Sequence, residues 1–211
     1  MFTTPTDDQE HSIELQLSFL SYIQHKLNIT LQLVPILVGS LNDANEYQYG
    51  KLLSTYVSDN TNFFILSSDF CHWGQRFNYT YIDAPHLNLP IYQSIEHCDK
   101  SAMACISESV QKNDIAIWYN YLNTTHNTIC GRHPISVYLN SIIYNQLINN
   151  INSSTDKCNI IFVAYTQSSH CQSKHDSSVS YGAGVCMQCN ENIPYDTNQL
   201  AVPSVPANQD E

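Results

Sequence analysis

Apolar side chains fall at Ile13, Leu17, Leu20, Ile23 and Leu27. That spacing predicts a helix from His11 to about Leu27 with one buried face, and Asn28 can end it. The pattern then changes. Ile29 to Val38 is dense in leucine and β-branched residues and stops at Gly39. It reads as a buried strand, with Pro35 pointing to an edge or a bulge. Asp43-Ala-Asn-Glu46 has the form of a capping box, so a helix is expected to about Val57 with Leu52, Leu53 and Tyr56 inward. Asn62 to Ser67, with Phe-Phe-Ile-Leu at its heart, reads as a second buried strand. Residues 75–88, with Pro85 among them, read as a loop. Helices are expected at about Pro90–Ser107, Asp114–Leu122 and Pro134–Ile148, the last opening with proline at its first position. Asn159–Tyr165 and Val179–Met187 complete the strands.

Strands alternating with helices predict an α/β fold, a mixed or mainly parallel sheet covered by helices. Residues 1–189 read as one domain. Residues 190–211 hold three prolines and few large apolar residues, so they read as a disordered tail. No internal repeat is present, and none of the six glycines forms a phosphate-binding loop.

Charge narrows the function. The formal net charge is −11 with only 8 Lys and Arg, and no run offers the basic stripe that nucleic acid requires. The same sign argues against docking on an anionic membrane face. No apolar run reaches membrane-spanning length. The first ten residues lack the basic and apolar regions of a signal peptide. The expected compartment is therefore the cytoplasm, with the nucleus as a second. The 8 cysteines then read as free thiols or ligands, and the four N-x-S/T sequons as chance matches. Cys186-Met-Gln-Cys189 precedes no helix and has no second pair, so it reads as incidental.

Ligands in open α/β sheets bind beyond the carboxyl ends of strands. Two expected strands end in reactive residues. One runs into Ser67-Ser-Asp-Phe-Cys-His72, the other into Thr166-Gln-Ser-Ser-His-Cys171. If those strands are neighbours, Asp69, His72 and Cys171 share one pocket. Thiolate and imidazole suit zinc, iron or copper, and Asp69 could orient the ring. The same trio could also make a thiol nucleophile. The bland alternative is a turn-forming Asp beside a packed His. His11, next to Glu10, is a further candidate, with Glu10 and Glu14 also explained as charges on a first helical turn. Arg132 and His133 are another: an Arg in a cation-poor chain could hold a carboxylate or phosphate bidentately, or an ion pair could pin the turn.

At these residues the sequence resembles a known family. Glu10-His-Ser-Ile-Glu14, Pro35-Ile-Leu-Val-Gly39, Ser67-Ser-Asp-Phe-Cys-His-Trp-Gly74, Ile95-Glu-His97, Cys130-Gly-Arg-His-Pro-Ile135, Gln167-Ser-Ser-His-Cys171 and Val179-Ser-Tyr181 are similar, in order, to motifs of the Memo family. The family's name stands for mediator of ErbB-driven cell motility. The resemblance covers roughly residues 8–187. The loop at 82–90 departs from it, and Ser18 replaces a usual proline.

The resemblance implies a fold like that of class III extradiol dioxygenases, with a pocket at the sheet end. It implies iron or copper held by two histidines and a cysteine. Cys171 is taken as that cysteine, with Asp69 and His72 as pocket residues. The two family histidines lie in Pro-His-Ala-Gly and Ser-His-His contexts, and neither occurs in this sequence. The expectation is therefore a fragment lacking the family's N-terminal strands, with metal binding in doubt. Three functions stay open. One is a signalling adaptor linked to receptor tyrosine kinases and motility, whose pocket takes phosphotyrosine peptide. Another is an iron- or copper-dependent redox enzyme. The third is a cysteine hydrolase using Cys171, His72 and Asp69.

Overall fold

The computed structural model describes residues 11–152 and 157–188. Glu10, Cys189 and the expected tail at 190–211 lie outside the described residues. Among the described residues five α-helices and three strands follow in the order α1 (Glu14–Leu27), α2 (Asp43–Val57), β1 (His72–Trp73), α3 (Ile91–Lys112), α4 (Ala116–Thr125), α5 (Arg132–Ile148), β2 (Cys158–Gln167) and β3 (Ser178–Gln188). Short 3-10 turns at Gln75–Phe77 and Ala84–His86 occupy the expected loop. No helix among the described residues is long and apolar enough to cross a membrane.

The α/β character holds, but the sheet differs from expectation. Among the described residues its order is β1-β3-β2, and both pairings are antiparallel. Ile29–Val38 and Asn62–Ser67 are not strands here. A strand exists by virtue of a partner for its amides. From Gln32 to Gly39 and from Phe63 to Leu66, no backbone hydrogen bond is made among the described residues.

Helix α1 ends as expected, with Asn28 in the left-handed conformation, but it buries none of its residues. Helix α2 is also turned from the expected orientation. Its N-cap is Asn42, whose side chain accepts from the Asn45 amide, and Leu52 and Tyr56 are exposed. The buried stripe is Glu46, Gly50 and Ser54. The reason is close packing on α5. A Cβ at Gly50 would stand 2.4 Å from the Asn140 Cβ, so a small, polar face lets the helices approach where a leucine face would not.

Helix α3 lies against β2 and also contacts α4 and α5. Ala102, Met103, Ile106 and Val110 of α3 form the main core with Trp118, Ile129, Leu139, Ile142 and Ile160. Polar latches fix the register. The Ser107 hydroxyl donates to the Ile160 carbonyl at 2.7 Å, and Gln146 bridges the Val110 carbonyl and the Cys158 amide. A second cluster gathers Cys71, Trp73, Tyr79, Ile95 and Cys171.

Asp99 of α3 has no exposed surface. It accepts from the Cys71 amide at 3.1 Å, Asn127 Nδ2 at 3.2 Å and the Tyr165 hydroxyl at 3.0 Å. Desolvation pushes its carboxyl above the ordinary 3.8, against hydrogen bonds from Ser180, Asn127, Tyr165 and Cys71 that pull the other way.

Asp99→Ala strands three donors, and we expect it to cost about 2–4 kcal/mol by urea denaturation. A raised carboxyl pKa means that the folded state binds the proton more tightly than the unfolded state. That contribution is fully present below 3.8 and is lost as pH rises through the folded value. Relative to Asp99→Asn, the wild type should therefore lose stability as pH rises from about 4 toward neutrality. A flat or rising difference would contradict this sign.

Candidate functional site

The segment before β1 already runs along β3. The Phe70 amide donates to the Ser180 carbonyl at 2.8 Å, and the Ser180 amide returns to the Cys71 carbonyl at 2.9 Å. Side chains alternate along extended chain. Phe70 therefore enters the main core, whereas Cys71 and Trp73 enter the second cluster. Asp69 and His72 come together at the rim. His72 Nε2 and Asp69 Oδ2 are 3.8 Å apart, and both side chains are partly exposed.

Thr128 fixes His72. Its hydroxyl accepts the His72 amide at 2.8 Å and donates to the His72 carbonyl at 2.9 Å. His72 Nδ1 lies 3.0 Å from the Thr128 carbonyl and 3.1 Å from that of Phe70. Both neighbours are acceptors only, so Nδ1 carries a proton. In the neutral ring the lone pair is then on Nε2, facing Asp69. Phe77 packs edge-on against the ring at 5.2 Å between centroids.

The cysteine at this site is Cys130. Its sulfur accepts the Asp69 amide at 3.0 Å and lies 3.8 Å from the Ser68 hydroxyl. The Cys130 amide donates to the Asp69 carbonyl at 3.3 Å, and the Gly131 amide to Ser68 Oγ at 2.9 Å. This close approach needs glycine: a Cβ at Gly131 would lie 2.4 Å from Ser68 Cβ. Cys130 is exposed.

Cys171 does not share the site. It is fully buried with Cys71, Trp73 and Ile95, and burial pushes its thiol pKa up. The expected neighbouring of the two strand ends fails because β3 lies between β1 and β2. A cysteine hydrolase on Cys171 is therefore not what the geometry offers. The missed residue, Cys130, opens the same Cys130-Gly-Arg-His-Pro134 turn that marked Arg132 and His133. The glycine directly after it was the available signal.

Arg132 lines a cavity of about 380 Å³ with Glu46, Tyr119, His126, Thr128 and His133. Among the described residues it forms no salt bridge, and the contact that pins the turn is made by His133 instead. His133 Nδ1 meets Glu46 Oε1 at 2.6 Å, and Glu46 is buried. Glu46 is thus the partner of His133 rather than part of a capping box. His11 is exposed before α1, and its side chain makes no hydrogen bond to Asp69 or His72 among the described residues. Helix α1 reaches the site through Gln16, whose Nε2 donates to Ser67 Oγ at 3.4 Å.

The Memo-like protein family model matches residues 2–185. The chain belongs to the Memo family. It is 48% identical over 179 residues to Protein MEMO1 of Xenopus tropicalis, 46% to Protein MEMO1 of Homo sapiens and 40% to the memo-1 homolog of Caenorhabditis elegans. Each match covers 85% of this chain, but 56%, 56% and 48% of the relatives. The chain thus spans about half the length of the relatives it matches.

The Memo resemblance implied iron or copper on two histidines and a cysteine. Among the described residues, no three His, Cys, Asp or Glu side chains converge to hold a metal ion. One histidine and one exposed sulfur flank Asp69, so the residues present do not fit that ligand set by themselves.

Among the described cysteines, alkylation of the native protein should modify Cys130 first, because it is the exposed one. Cys71 and Cys171 are shielded, and burial raises their pKa values. They should react only after unfolding, as read by peptide mass spectrometry. Native labelling of Cys171 ahead of Cys130 would reverse this assignment.

Proposed function

We propose that this Memo-family chain is a cytoplasmic adaptor relaying receptor tyrosine kinase signals toward cell motility, and that it carries part of a pocket for phosphotyrosine peptide. The observation that carries the reading is Arg132. It lines a polar cavity beside the Asp69–His72–Cys130 rim and has no carboxylate partner among the described residues. A guanidinium so placed suits bidentate phosphate recognition. Thr128 belongs to both places, holding His72 and lining the cavity. The partners are phosphorylated peptide and receptor-linked signalling proteins. Nucleic acid and membrane insertion have no part in the reading.

Fluorescence anisotropy with a phosphotyrosine peptide and its unphosphorylated counterpart tests it. The test uses the chain joined to the remaining portion of a Memo relative. We expect a preference of about tenfold or more for the phosphorylated form, lost in Arg132→Ala. Equal affinity for the two peptides ends the reading.

A second reading, an iron- or copper-dependent redox enzyme, is favoured by one observation. His72 Nε2 lies 3.8 Å from Asp69 Oδ2 and the Cys130 sulfur accepts the Asp69 amide, so an imidazole nitrogen and a sulfur both adjoin Asp69. Further donors have to come from outside the described residues. Elemental analysis of the joined chain should then find iron or copper that Cys130→Ser reduces. Metal at background level removes this alternative.

A further inference from the structure

We propose that Cys158 and Cys186 form a reversible disulfide, driven by peroxide, that fastens the end of β3 to α3 and α5.

Both thiols stand on one face of the β2–β3 ladder. Cys158 lies opposite Gln188 and Cys186 opposite Ile160, so the two cysteines are diagonal neighbours. Side chains two residues apart share a face, and Ile160 is buried in the main core. Cys158 and Cys186 accordingly pack against that core, together with Tyr138 of α5. The Cys158 thiol and the Tyr138 hydroxyl both hydrogen-bond to the Cys186 sulfur. Cys186 also opens the Cys186-Met-Gln-Cys189 motif, whose sequence shows no second pair. The fold brings it a partner from across the ladder instead.

The contact assigns the two roles. Donors on the Cys186 sulfur favour a thiolate there. Cys158 holds its proton more tightly than an ordinary thiol, because it donates to that sulfur and is also desolvated. The Cys186 thiolate attacks one oxygen of hydrogen peroxide, giving a sulfenic acid and releasing hydroxide. The Cys158 sulfur then displaces the sulfenic hydroxyl. The S–S bond forms, and the thiol proton leaves with that oxygen as water. Two thiols and one peroxide become one disulfide and two waters; the sulfurs lose two electrons and the peroxide gains them. Both cysteines are half-buried, whereas Cys71 and Cys171 are buried, so peroxide has access to this pair.

A diagonal pair stands somewhat wider than a disulfide, so closing it draws the last rungs together. Cys158 begins β2 and Gln188 ends β3, which confines that movement to the end of the ladder. Cys158 is itself anchored. Its amide donates to Gln146 of α5, and its carbonyl accepts from Gln111 of α3. The bond therefore ties β3 to both helices. A link closed against its resting spacing is readily reduced again, which suits a switch rather than a permanent staple. None of these residues lines the Arg132 cavity, so the proposal is independent of phosphopeptide binding.

The test treats the native 211-residue chain with hydrogen peroxide, alkylates the remaining thiols and maps peptides by mass spectrometry. We expect a peptide pair linked through Cys158 and Cys186, which dithiothreitol returns to two thiols. Hydrogen exchange at residues 158–160 and 186–188 should slow about tenfold in the oxidised chain. Cys186→Ser should abolish the link and the slowing. Mapping of the wild type gives the answer even where that variant fails to fold. The proposal is overturned if Cys158 stays open to alkylation, if Cys186 is linked to Cys189 or to another cysteine, or if Cys186 becomes a sulfinic acid with no link. A link that leaves those amides exchanging as before overturns it as well, and so does one that forms equally fast in urea.

Discussion

Asp99 sits on α3 with no solvent contact and ties three other parts of the chain to that helix. It holds the Cys71 amide one residue before His72, and Asn127 one residue before Thr128. Those two neighbours, His72 and Thr128, are bound to each other by hydroxyl, amide and ring. Tyr165, the third donor, stands on β2 and reaches toward Ser180 of β3. A single carboxylate therefore sets the spacing between helix, sheet and the turn that supports the site. Burying it unpartnered would be costly. Three donors converging on it make the burial tolerable.

The turn at Cys130–Pro134 is gripped from two sides. Ser68 and Asp69 hold it through backbone bonds and the Cys130 sulfur, with Gly131 permitting contact that any Cβ would block. From the other side Glu46 holds His133 at the start of α5. Removing the acid would leave the part-buried imidazole without the hydrogen-bond partner of its Nδ1. Helix α2 can reach that far only because Gly50 lets it lie close on α5. A backbone choice in α2 thus reaches the site through one hydrogen bond and one turn.

Periodicity revealed the helices and the last two strands, because each depends on a local apolar rhythm. It also placed Asp69 and His72 side by side at a strand end. The inward face of α2 was not legible: Leu52 and Tyr56 look like core residues, but packing density on α5 selected Gly50 and Ser54. Cys171 is expected beside Asp69 and His72 because both strand ends follow apolar runs, but whether those ends meet depends on sheet order, and β3 lies between them. Cys130 sat in a turn already marked by its neighbours, with glycine as the cue to close contact. The segments 29–38 and 62–67 have strand sequences. Their strand state is a property of a pair, and a pair cannot be read from one member.

The segment 63–66 and the candidate site are continuous in the chain. Phe63–Leu66 leads directly into Ser67, which Gln16 of α1 touches, and then into Asp69 and His72. In the neutral ring the lone pair of His72 Nε2 is turned toward the rim, because the Phe70 and Thr128 carbonyls hold Nδ1 on the other side. Asp99, Thr128 and Gly131 thus keep the rim in place before anything binds there.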